Sequence, residues 1–400
     1  MASPRVVRRA IVYKGAVAAA TLTRTSGGVQ FGYLPEYSGP AVASTLPPGA
    51  TFDGHAGALP PFFSGLLPEG RRLNALRRSV KTSADDELAL ILAIGEDLVG
   101  DVSVVPDGVG LHPVEPTVSG LGELSRLRFA DLLAEQGFTD RIGIAGAQDK
   151  LSAGMITFPL RMGSGPAIVK LDPPDYPDVV VNENFFLGIA RNLKLPVVAS
   201  ELVHDSEGRP GLVVKRFDRV AAANGTIVRR AVEDATQLLG LYPADKYSVT
   251  SEEMVQAVAQ VCAARLVGAR AGFQQILLAW LTGNGDLHAK NISVLQEASG
   301  EWRVAPVYDV PCTLPYGDVT MALTVQGADR GLTRRRMLGL AAAIGLPRSA
   351  TERAIEEVLT ATDGMLNHLE AGALPWNRNL LLNVVRQLKR RRRDLEATAG

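Results

Sequence analysis

A short polar stretch in the C-terminal half constrains this chain more than any other feature. It consists of LTGNGDLHAKNISV (residues 281–294), followed by VYDV (residues 307–310). Asp286 comes five residues before Asn291, and Asp309 follows eighteen residues later. A loop followed by a short strand can bring Asn291 and Asp309 onto one metal ion. This spacing is typical of phosphoryl-transfer enzymes, in which one carboxylate orients the attacking hydroxyl and two oxygen ligands hold Mg²⁺.

The same residues have a plainer explanation. They also fit an ordinary turn after a buried helix, with the aspartate and the asparagine as Asx turn formers. The pattern D-x-x-x-x-N alone does not separate the two interpretations, because short motifs match many unrelated sequences. His288 and Lys290 in the loop, together with Tyr308 and Asp309 beyond it, favour a kinase.

Composition allows a globular protein without favouring a function. The 400 residues correspond to two or three compact units of about 150 residues each, and 46% of them are hydrophobic. Basic and acidic residues both number 42, so no global charge directs the chain to nucleic acid or membrane. Only Cys262 and Cys312 occur, which suits a reducing cytosol. No stretch approaches the roughly 18 apolar residues of a membrane span, so we expect a soluble, cytoplasmic protein.

The chain divides into three segments. Residues 1–110 predict a β-rich subdomain with one appended helix over residues 84–93, and residues 120–232 predict a mixed α/β, nucleotide-binding lobe. Residues 233–400 predict a helical C-terminal lobe that carries the catalytic loop. The link PDGVGLHPVEP contains proline and glycine without any period, and it marks the first boundary. The predicted helices of the last segment include SEEMVQAVAQVCAARL, AGFQQILLAWLTG, RRRMLGLAAAIG and ATERAIEEVLTATDGMLNHL.

The middle segment holds residues that suit a nucleotide site. The run IAGAQDK (residues 144–150) can cradle phosphates with its backbone N–H groups, although a plain hairpin turn fits it as well. Lys170 ends the strand AIVK, where kinases place the lysine that reaches the α and β phosphates. Glu183 lies in a predicted helix, NENFFLGIARNL, where a carboxylate would position that lysine. Taken singly, each also fits a structural role, as a snorkelling lysine or a glutamate at a helix N-terminus.

The order of these motifs resembles that of the HipA family of bacterial serine/threonine kinases, the toxin half of HipA-HipB toxin-antitoxin pairs. The resemblance runs through IAGAQDKLSA, IVKL, NENFFLGIARNLKLPV, VVKRFDR, EDATQLLGLYPADKY, LTGNGDLHAKNISV and VAPVYDV. The N-terminal unit adds PPFFSGLLPEGRR (residues 60–72) and IGEDLVGDVSV (residues 94–104). The resemblance covers nearly the whole chain. It implies an α+β, protein-kinase-like, two-lobed fold with a β-rich N-terminal subdomain and a helical C-terminal lobe.

The resemblance also implies ATP and Mg²⁺ as cofactors, and it assigns roles to residues. Asp286 would be the catalytic aspartate, with Asn291 and Asp309 as the magnesium ligands. The residues implied to contact the nucleotide are the phosphate loop Ala145, Gly146, Ala147, Gln148, Asp149 and Lys150, the hinge Lys215, Arg216 and Phe217, and the side chains of Lys170, His288, Ala289, Lys290 and Tyr308. The hinge rests wholly on the resemblance, because VVKRFDR by itself predicts only a strand exit with a charged turn.

The sequence departs from the family pattern in two places. A serine whose autophosphorylation silences the kinase often precedes the phosphate loop, but the matching position here is Gly143. Self-inactivation at that position is therefore impossible, which leaves Ser152 and Ser164 nearby or a partner protein as routes of control. Asp309 is followed by valine and proline rather than Phe-Gly, so a mobile DFG-type switch is not expected.

The resemblance implies a toxin that phosphorylates a translation component, such as an aminoacyl-tRNA synthetase, and that pairs with a HipB-like helix-turn-helix antitoxin. The resemblance also implies that DNA is contacted only through the antitoxin complex. No recognition helix is evident in this sequence, so we expect sequence-specific binding to come from the partner. The run RQLKRRRR (residues 386–393) fits either a solvated helix face or a contact to the DNA backbone. A catalytically idle nucleotide-binding corepressor and a small-molecule kinase are the alternative functions.

Overall fold

Most of the described strands lie before residue 235, and helices dominate the rest of the described chain. The computed structural model describes residues 4–55, 57–112, 120–135, 156–162, 165–222 and 226–397. The strands are Arg9–Lys14 (β1), Val17–Arg24 (β2), Val29–Tyr33 (β3), Thr51–Asp53 (β4), Val102–Pro106 (β5), Ile156–Met162 (β6), Gly165–Leu171 (β7), Ser200–His204 (β8), Pro210–Lys215 (β9), Arg219–Ala221 (β10), Ile227–Arg229 (β11), Val232–Asp234 (β12), Ser293–Gln296 (β13) and Trp302–Val304 (β14). The α-helices are Pro61–Leu66 (α1), Gly70–Val80 (α2), Glu87–Ile94 (α3), Leu121–Leu124 (α4), Phe129–Glu135 (α5), Val179–Ala190 (α6), Ala235–Leu238 (α7), Ser251–Val261 (α8), Arg265–Thr282 (α9), Arg334–Ala343 (α10), Arg348–Ala361 (α11), Met365–Glu370 (α12) and Arg378–Glu396 (α13).

The N-terminal unit is an antiparallel sheet with helices packed on it. Its strand order is β4-β3-β2-β1-β5, and its core joins apolar residues of the sheet with those of α1 and α3. The predicted helix over residues 84–93 is found as α3, where the Asp86 side chain caps the helix by accepting from the Ala89 N–H. The prediction of one helix was wrong, since α1 and α2 also form. Pro61 stands in the first turn of α1, where proline starts a helix rather than breaking it.

A second antiparallel sheet, in the order β6-β7-β9-β8, lies in the middle segment. Val169 and Leu171 of β7 are buried in a small core with Phe129. Because side chains alternate along a strand, Lys170 between them faces the other side of the sheet. Helix α6 contacts β7, β8 and β9, and it therefore brings Glu183 within reach of Lys170.

The C-terminal helices build the largest core. Helix α9 is buried over most of its length and packs against α8, α11 and α13. The same core includes Phe186 of α6 and Phe273 of α9, so it joins the second and third predicted segments. The division into residues 1–110, 120–232 and 233–400 stays a prediction. Within the described residues, no helix combines the length and the apolar character that a membrane span requires.

Two helix boundaries differ from the prediction. The stretch SEEMVQAVAQVCAARL was expected to form one helix, but α8 ends at Val261 and its last residues begin α9. The break follows a tertiary contact that the sequence does not reveal, since the Ala263 N–H donates to the Trp302 carbonyl at 2.9 Å. The stretch ATERAIEEVLTATDGMLNHL is divided into α11 and α12 at Gly364, whose φ of +74° favours glycine. RRRMLGLAAAIG forms α10 as predicted.

Candidate active site

The turn after α9 is built to hold its backbone close to other elements. Gly283 has a φ of +75°, and a Cβ there would lie 2.7 Å from the Leu314 side chain. A Cβ at Gly285 would lie 2.4 Å from the Thr320 carbonyl oxygen. The Asn284 side chain accepts from the Asp286 N–H at 2.9 Å and donates to the Asp309 carbonyl at 3.3 Å. The GNG sequence therefore fixes the start of the loop and ties it to the segment that carries Asp309.

Asp286 lies in the buried part of this loop and is 2% exposed. Its carboxylate accepts a hydrogen bond from the Tyr247 hydroxyl at 3.0 Å, and its carbonyl accepts one from the Asn291 amide at 3.1 Å. Sequence reasoning did not single out Tyr247, which lies 39 residues away in the ADKY motif. The hydroxyl orients the carboxylate, as a candidate general base requires.

Lys170 joins two carboxylates from different parts of the chain. Its Nζ donates to the Glu183 oxygens at 2.7 and 2.9 Å and to Asp309 Oδ1 at 2.8 Å. Burial opposes the charge on Lys170, but the two carboxylates outweigh it and raise the lysine pKa. Burial also raises the pKa of Glu183, whereas Lys170 lowers that of Asp309 despite its burial.

The two candidate metal ligands lie side by side. The Asn291 amide donates to Asp309 Oδ2 at 3.0 Å, and Asp309 has a positive φ of 57° that turns its carboxylate into the site. Among the described residues, no cluster of three His, Cys, Asp or Glu side chains offers a complete metal cage. Magnesium does not need one, because it is usually held by one or two carboxylates together with phosphate oxygens. An aspartate and an amide oxygen therefore fit Mg²⁺.

The imidazole of His288 is 3% exposed, and neither of its ring nitrogens has a hydrogen-bond partner. The ring packs edge-on against Tyr247, with 5.1 Å between centroids. Burial and the nearby Lys246 lower the His288 pKa to about 3, so the ring is neutral at physiological pH. A buried pair of unsatisfied ring nitrogens is costly in a finished core and suits a residue whose partner is a ligand.

The candidate catalytic loop (residues 283–291) also forms contacts with the N-terminal unit. Glu69, at the start of α2, forms ion pairs with Lys246 and, at 2.7 Å, with Lys290. The Lys290 ammonium also donates to the Gly65 carbonyl at 3.0 Å. Sequence reasoning included Lys290 but missed Glu69 and Lys246. Their only signal was membership of the motifs LLPEGRR and ADKY.

Tyr308 links the loop to the predicted hinge. Its hydroxyl donates to the Lys290 carbonyl at 2.7 Å, and its ring stacks on Phe217 with centroids 5.7 Å apart. The N–H groups of Lys215 and Arg216 already donate to the carbonyls of Ala199 and Pro166. These two N–H groups are therefore engaged within the chain, and adenine pairing at the hinge stays a prediction.

The charges of VVKRFDR do not form a simple surface turn. Arg216, Asp218 and Arg219 are buried, and with Asp97 and Arg229 they form what we call the arginine cluster. Asp218 accepts from both Arg216 and Arg219 at 2.7 Å. The three arginines also donate to backbone carbonyls between residues 96 and 102. The cluster therefore joins the IGEDLVGDVSV motif of the N-terminal unit to the segment after β9.

The remaining predicted residues fall into two groups. The phosphate loop (residues 145–150), Gly143, Ser152 and Ser164 lie outside the described residues. In the basic run, Arg391 is buried, lies 4.0 Å above the Trp280 ring and donates to the Trp280 and Val319 carbonyls. It is therefore neither on a solvated face nor available to DNA. Cys262 and Cys312 are buried free thiols, as expected for packing residues.

Comparison with protein families places these elements in a known context. The HipA-like C-terminal domain matches residues 142–365, and the HipA N-terminal domain matches residues 10–105. The chain belongs to the HipA family. The fold prediction is confirmed by a chain of the Shewanella oneidensis MR-1 complex of HipA, HipB and operator DNA. That chain superposes on this HipA family member with a TM-score of 0.78 over 97% of both chains, at 22% sequence identity.

Relatives of this HipA family member are named as kinases. "Putative kinase Y4mE" of Sinorhizobium fredii is 30% identical over 289 residues, which are 66% of this chain and 67% of the relative. The serine/threonine-protein kinase toxin HipA of Shewanella oneidensis is 27% identical over 340 residues, which are 78% of this chain and 77% of the relative. The chain is thus a member of a kinase family.

Proposed function

We propose that this chain is an ATP-dependent serine/threonine protein kinase that acts as the toxin of a type II toxin-antitoxin pair. The observation that carries the proposal is the convergence on Asp309 of Lys170, itself paired with Glu183, and of Asn291. A lysine held by a helix carboxylate, next to an aspartate and an asparagine, is the arrangement that protein kinases use to hold ATP phosphates and Mg²⁺. We call Lys170, Glu183, Asp286, Asn291 and Asp309 the catalytic cluster.

Each group has a defined task in the proposed reaction. Lys170 would bind the α and β phosphates, with Glu183 keeping its ammonium in place. Asp286, oriented by Tyr247, would position the serine or threonine hydroxyl and accept its proton as the oxygen bonds to the γ-phosphorus. The bond from that phosphorus to the β,γ-bridging oxygen breaks, and ADP leaves. Asn291 and Asp309 would hold Mg²⁺, which neutralises charge on the phosphates.

The partner and the substrate are part of the same proposal. We propose a HipB-type helix-turn-helix antitoxin as partner, because the structural relative was solved together with HipB and operator DNA. DNA would be contacted through that complex, with the exposed Arg386, Arg390 and Arg393 as candidates for its phosphate backbone. The protein substrate would be a translation component such as an aminoacyl-tRNA synthetase, in the cytoplasm. These expectations rest on family membership.

The test is transfer of the γ-phosphate from labelled Mg-ATP, with the chain alone and in a cell lysate. Asp309→Asn removes the charge of one candidate metal ligand and should abolish transfer. Asp85→Asn, at an exposed aspartate of the N-terminal unit, is the matched control and should transfer at the parent rate. A labelled lysate protein that is absent with Asp309→Asn would support the kinase and give the mass of its target.

Two results would contradict the proposal. Equal labelling by Asp309→Asn and the parent would remove Asp309 from the mechanism. Intact ATP binding without any transfer by the parent would contradict kinase activity and favour the idle corepressor, which should still bind operator DNA with its partner after Asp309→Asn. Labelling of a small molecule alone would instead favour a small-molecule kinase.

A further inference from the structure

Glu69 does not form the hydrogen bond that a residue in its position at the start of a helix usually forms. It occupies the N-cap of α2, where a side-chain oxygen normally accepts from a backbone N–H of the first turn, yet it makes no such bond. Glutamate is not among the preferred capping residues. The next residue, Gly70, has a φ of +53°, a conformation that glycine adopts at little cost. The local sequence therefore leaves the Glu69 carboxylate free of its own helix.

That carboxylate is instead directed at two lysines of another part of the chain. It pairs with Lys246, 177 residues away, and with Lys290 of the catalytic loop. Burial alone would raise the Glu69 pKa, but Lys290 and Lys246 outweigh it and lower the pKa to about 2. The carboxylate is thus fully ionised at neutral pH, and it faces two cations.

Both lysines lie next to the catalytic cluster. Lys290 directly precedes Asn291, and the Lys246 carbonyl accepts from the Ala289 N–H at 3.2 Å. Both ammonium charges lower the pKa of His288, and Lys246 also lowers that of Asp309. Two ammonium groups therefore meet at one carboxylate at this edge of the site. Ammonium groups form strong, charge-assisted hydrogen bonds with phosphate oxygens, so the pair suits the terminal phosphate of a nucleotide.

The N-terminal unit does not need Glu69 to stay attached. Ser44 donates to the Glu233 carboxylate from its N–H at 2.8 Å and from its hydroxyl at 2.6 Å. The Gln237 amide donates to the Phe62 carbonyl at 2.9 Å, and the Tyr242 hydroxyl donates to the Leu59 carbonyl at 3.2 Å. These contacts anchor the segment before Glu69, and the arginine cluster forms a further attachment. Contacts other than those of Glu69 therefore hold the N-terminal unit in place, and attachment alone does not explain Glu69.

We propose that Glu69 is a positioning residue supplied by the N-terminal unit, which holds Lys246 and Lys290 for recognition of the γ-phosphate of ATP. The site then contains two sets of lysine-glutamate ion pairs. Glu183 holds Lys170 within the nucleotide lobe, and Glu69 holds Lys290 and Lys246 across the boundary between units. The proposal rests on the kinase function argued above and adds a specific task for the N-terminal unit.

The decisive readout is the preference for ATP over ADP, because only ATP carries the γ-phosphate. Binding of each nucleotide with Mg²⁺ is measured by calorimetry on the full chain, for the parent, Glu69→Gln and the control Glu36→Gln, an exposed glutamate of the same unit. Glu69→Gln should weaken ATP binding about tenfold, as loss of an orienting partner does elsewhere, and leave ADP binding within about twofold. Glu36→Gln should match the parent for both nucleotides.

A second variant guards against misfolding of the first. Glu69→Asp keeps the charge but withdraws it by one methylene, and it should give a preference between those of the parent and Glu69→Gln. An unchanged ATP/ADP ratio in both variants would overturn the inference while leaving the kinase function standing. Tighter ATP binding by Glu69→Gln would also overturn it, since Glu69 would then compete with the phosphate. A parent chain with no ATP preference and no transfer would contradict both proposals.

Discussion

The catalytic cluster and the arginine cluster both bury charge, but they balance it in opposite ways. In the arginine cluster, three arginines meet two aspartates, and the surplus donors end on carbonyls such as those of Leu98 and Gly100. In the catalytic cluster, Lys170 is the one cation among three carboxylates. In the arginine cluster, backbone carbonyls accept the hydrogen bonds that the two aspartates do not. The catalytic cluster has a negative excess that its own members do not compensate.

This difference says more about function than burial alone. Buried ion pairs are common in structural networks, and a shifted pKa by itself does not distinguish the two clusters. A buried negative excess must be relieved by a proton or by a cation. Burial, with a smaller contribution from Asp309, raises the pKa of Glu183 and so favours the first route. A divalent cation at Asp309 and Asn291 would supply the second.

The largest effect should come from a substitution that changes chemistry without changing shape. Asp286→Asn keeps an acceptor for the Tyr247 hydroxyl but removes the candidate base, so phosphate transfer should fall roughly 10²- to 10⁴-fold. ATP binding should remain near the parent value, because Asp286 is proposed to act on the hydroxyl and not on the nucleotide. Single-turnover transfer and calorimetry measure the two quantities. Transfer at the parent rate would remove Asp286 from the catalytic cluster.

The arginine cluster should give the opposite outcome. Asp218→Asn leaves Arg216 and Arg219 buried with one carboxylate fewer, and it should lower the free energy of unfolding by about 3–5 kcal/mol. Folded protein should keep the parent affinity for Mg-ATP. Urea unfolding and calorimetry test this, with the exposed Asp85→Asn expected within about 0.5 kcal/mol of the parent. A loss below about 1 kcal/mol would show that the carbonyls suffice without Asp218.

The two clusters were not equally visible in the sequence. Asp286, Asn291 and Asp309 share one short region, and strand and helix patterns indicated Lys170 and Glu183. The contacts among these five residues could therefore be predicted, while their roles stay a proposal. The attachment of the arginine cluster to residues 96–102 and the pairing of Glu69 could not be predicted, because these partners lie more than 100 residues away and no motif or period indicated them. The helices of the C-terminal segment were predicted from apolar residues at spacings of three and four, whereas α1 and α2 were missed. The break after Val261 depends on a distant carbonyl.

Lowering the pH should lower the free energy of unfolding, because His288 is neutral in the folded chain. Its folded pKa of about 3 lies below the ordinary value of 6.5, so below pH 6.5 the unfolded chain binds a proton that the folded chain refuses. Stability should therefore fall by about 1.4 kcal/mol per pH unit, or about 2 kcal/mol between pH 6.5 and 5. His288→Asn removes this contribution. Urea unfolding of both proteins at pH 7.5 and 5.0 measures it, and equal pH dependence would contradict a neutral buried imidazole.

The smallest effect tests whether carbonyls and an aromatic ring can hold a buried cation without a carboxylate. Arg391 donates to the Trp280 and Val319 carbonyls, and burial lowers its pKa to about 10, which still leaves it charged at neutral pH. Arg391→Met loses those bonds and the contact with the Trp280 ring, but it also removes a desolvated charge. The net cost should be about 1–2 kcal/mol in urea unfolding, against less than about 0.5 kcal/mol for the exposed Arg390→Met. Equal free energies of unfolding for the two variants would mean that the cost of burying the Arg391 charge cancels the gain from its carbonyl bonds. The stability of the arginine cluster would then come from its aspartates.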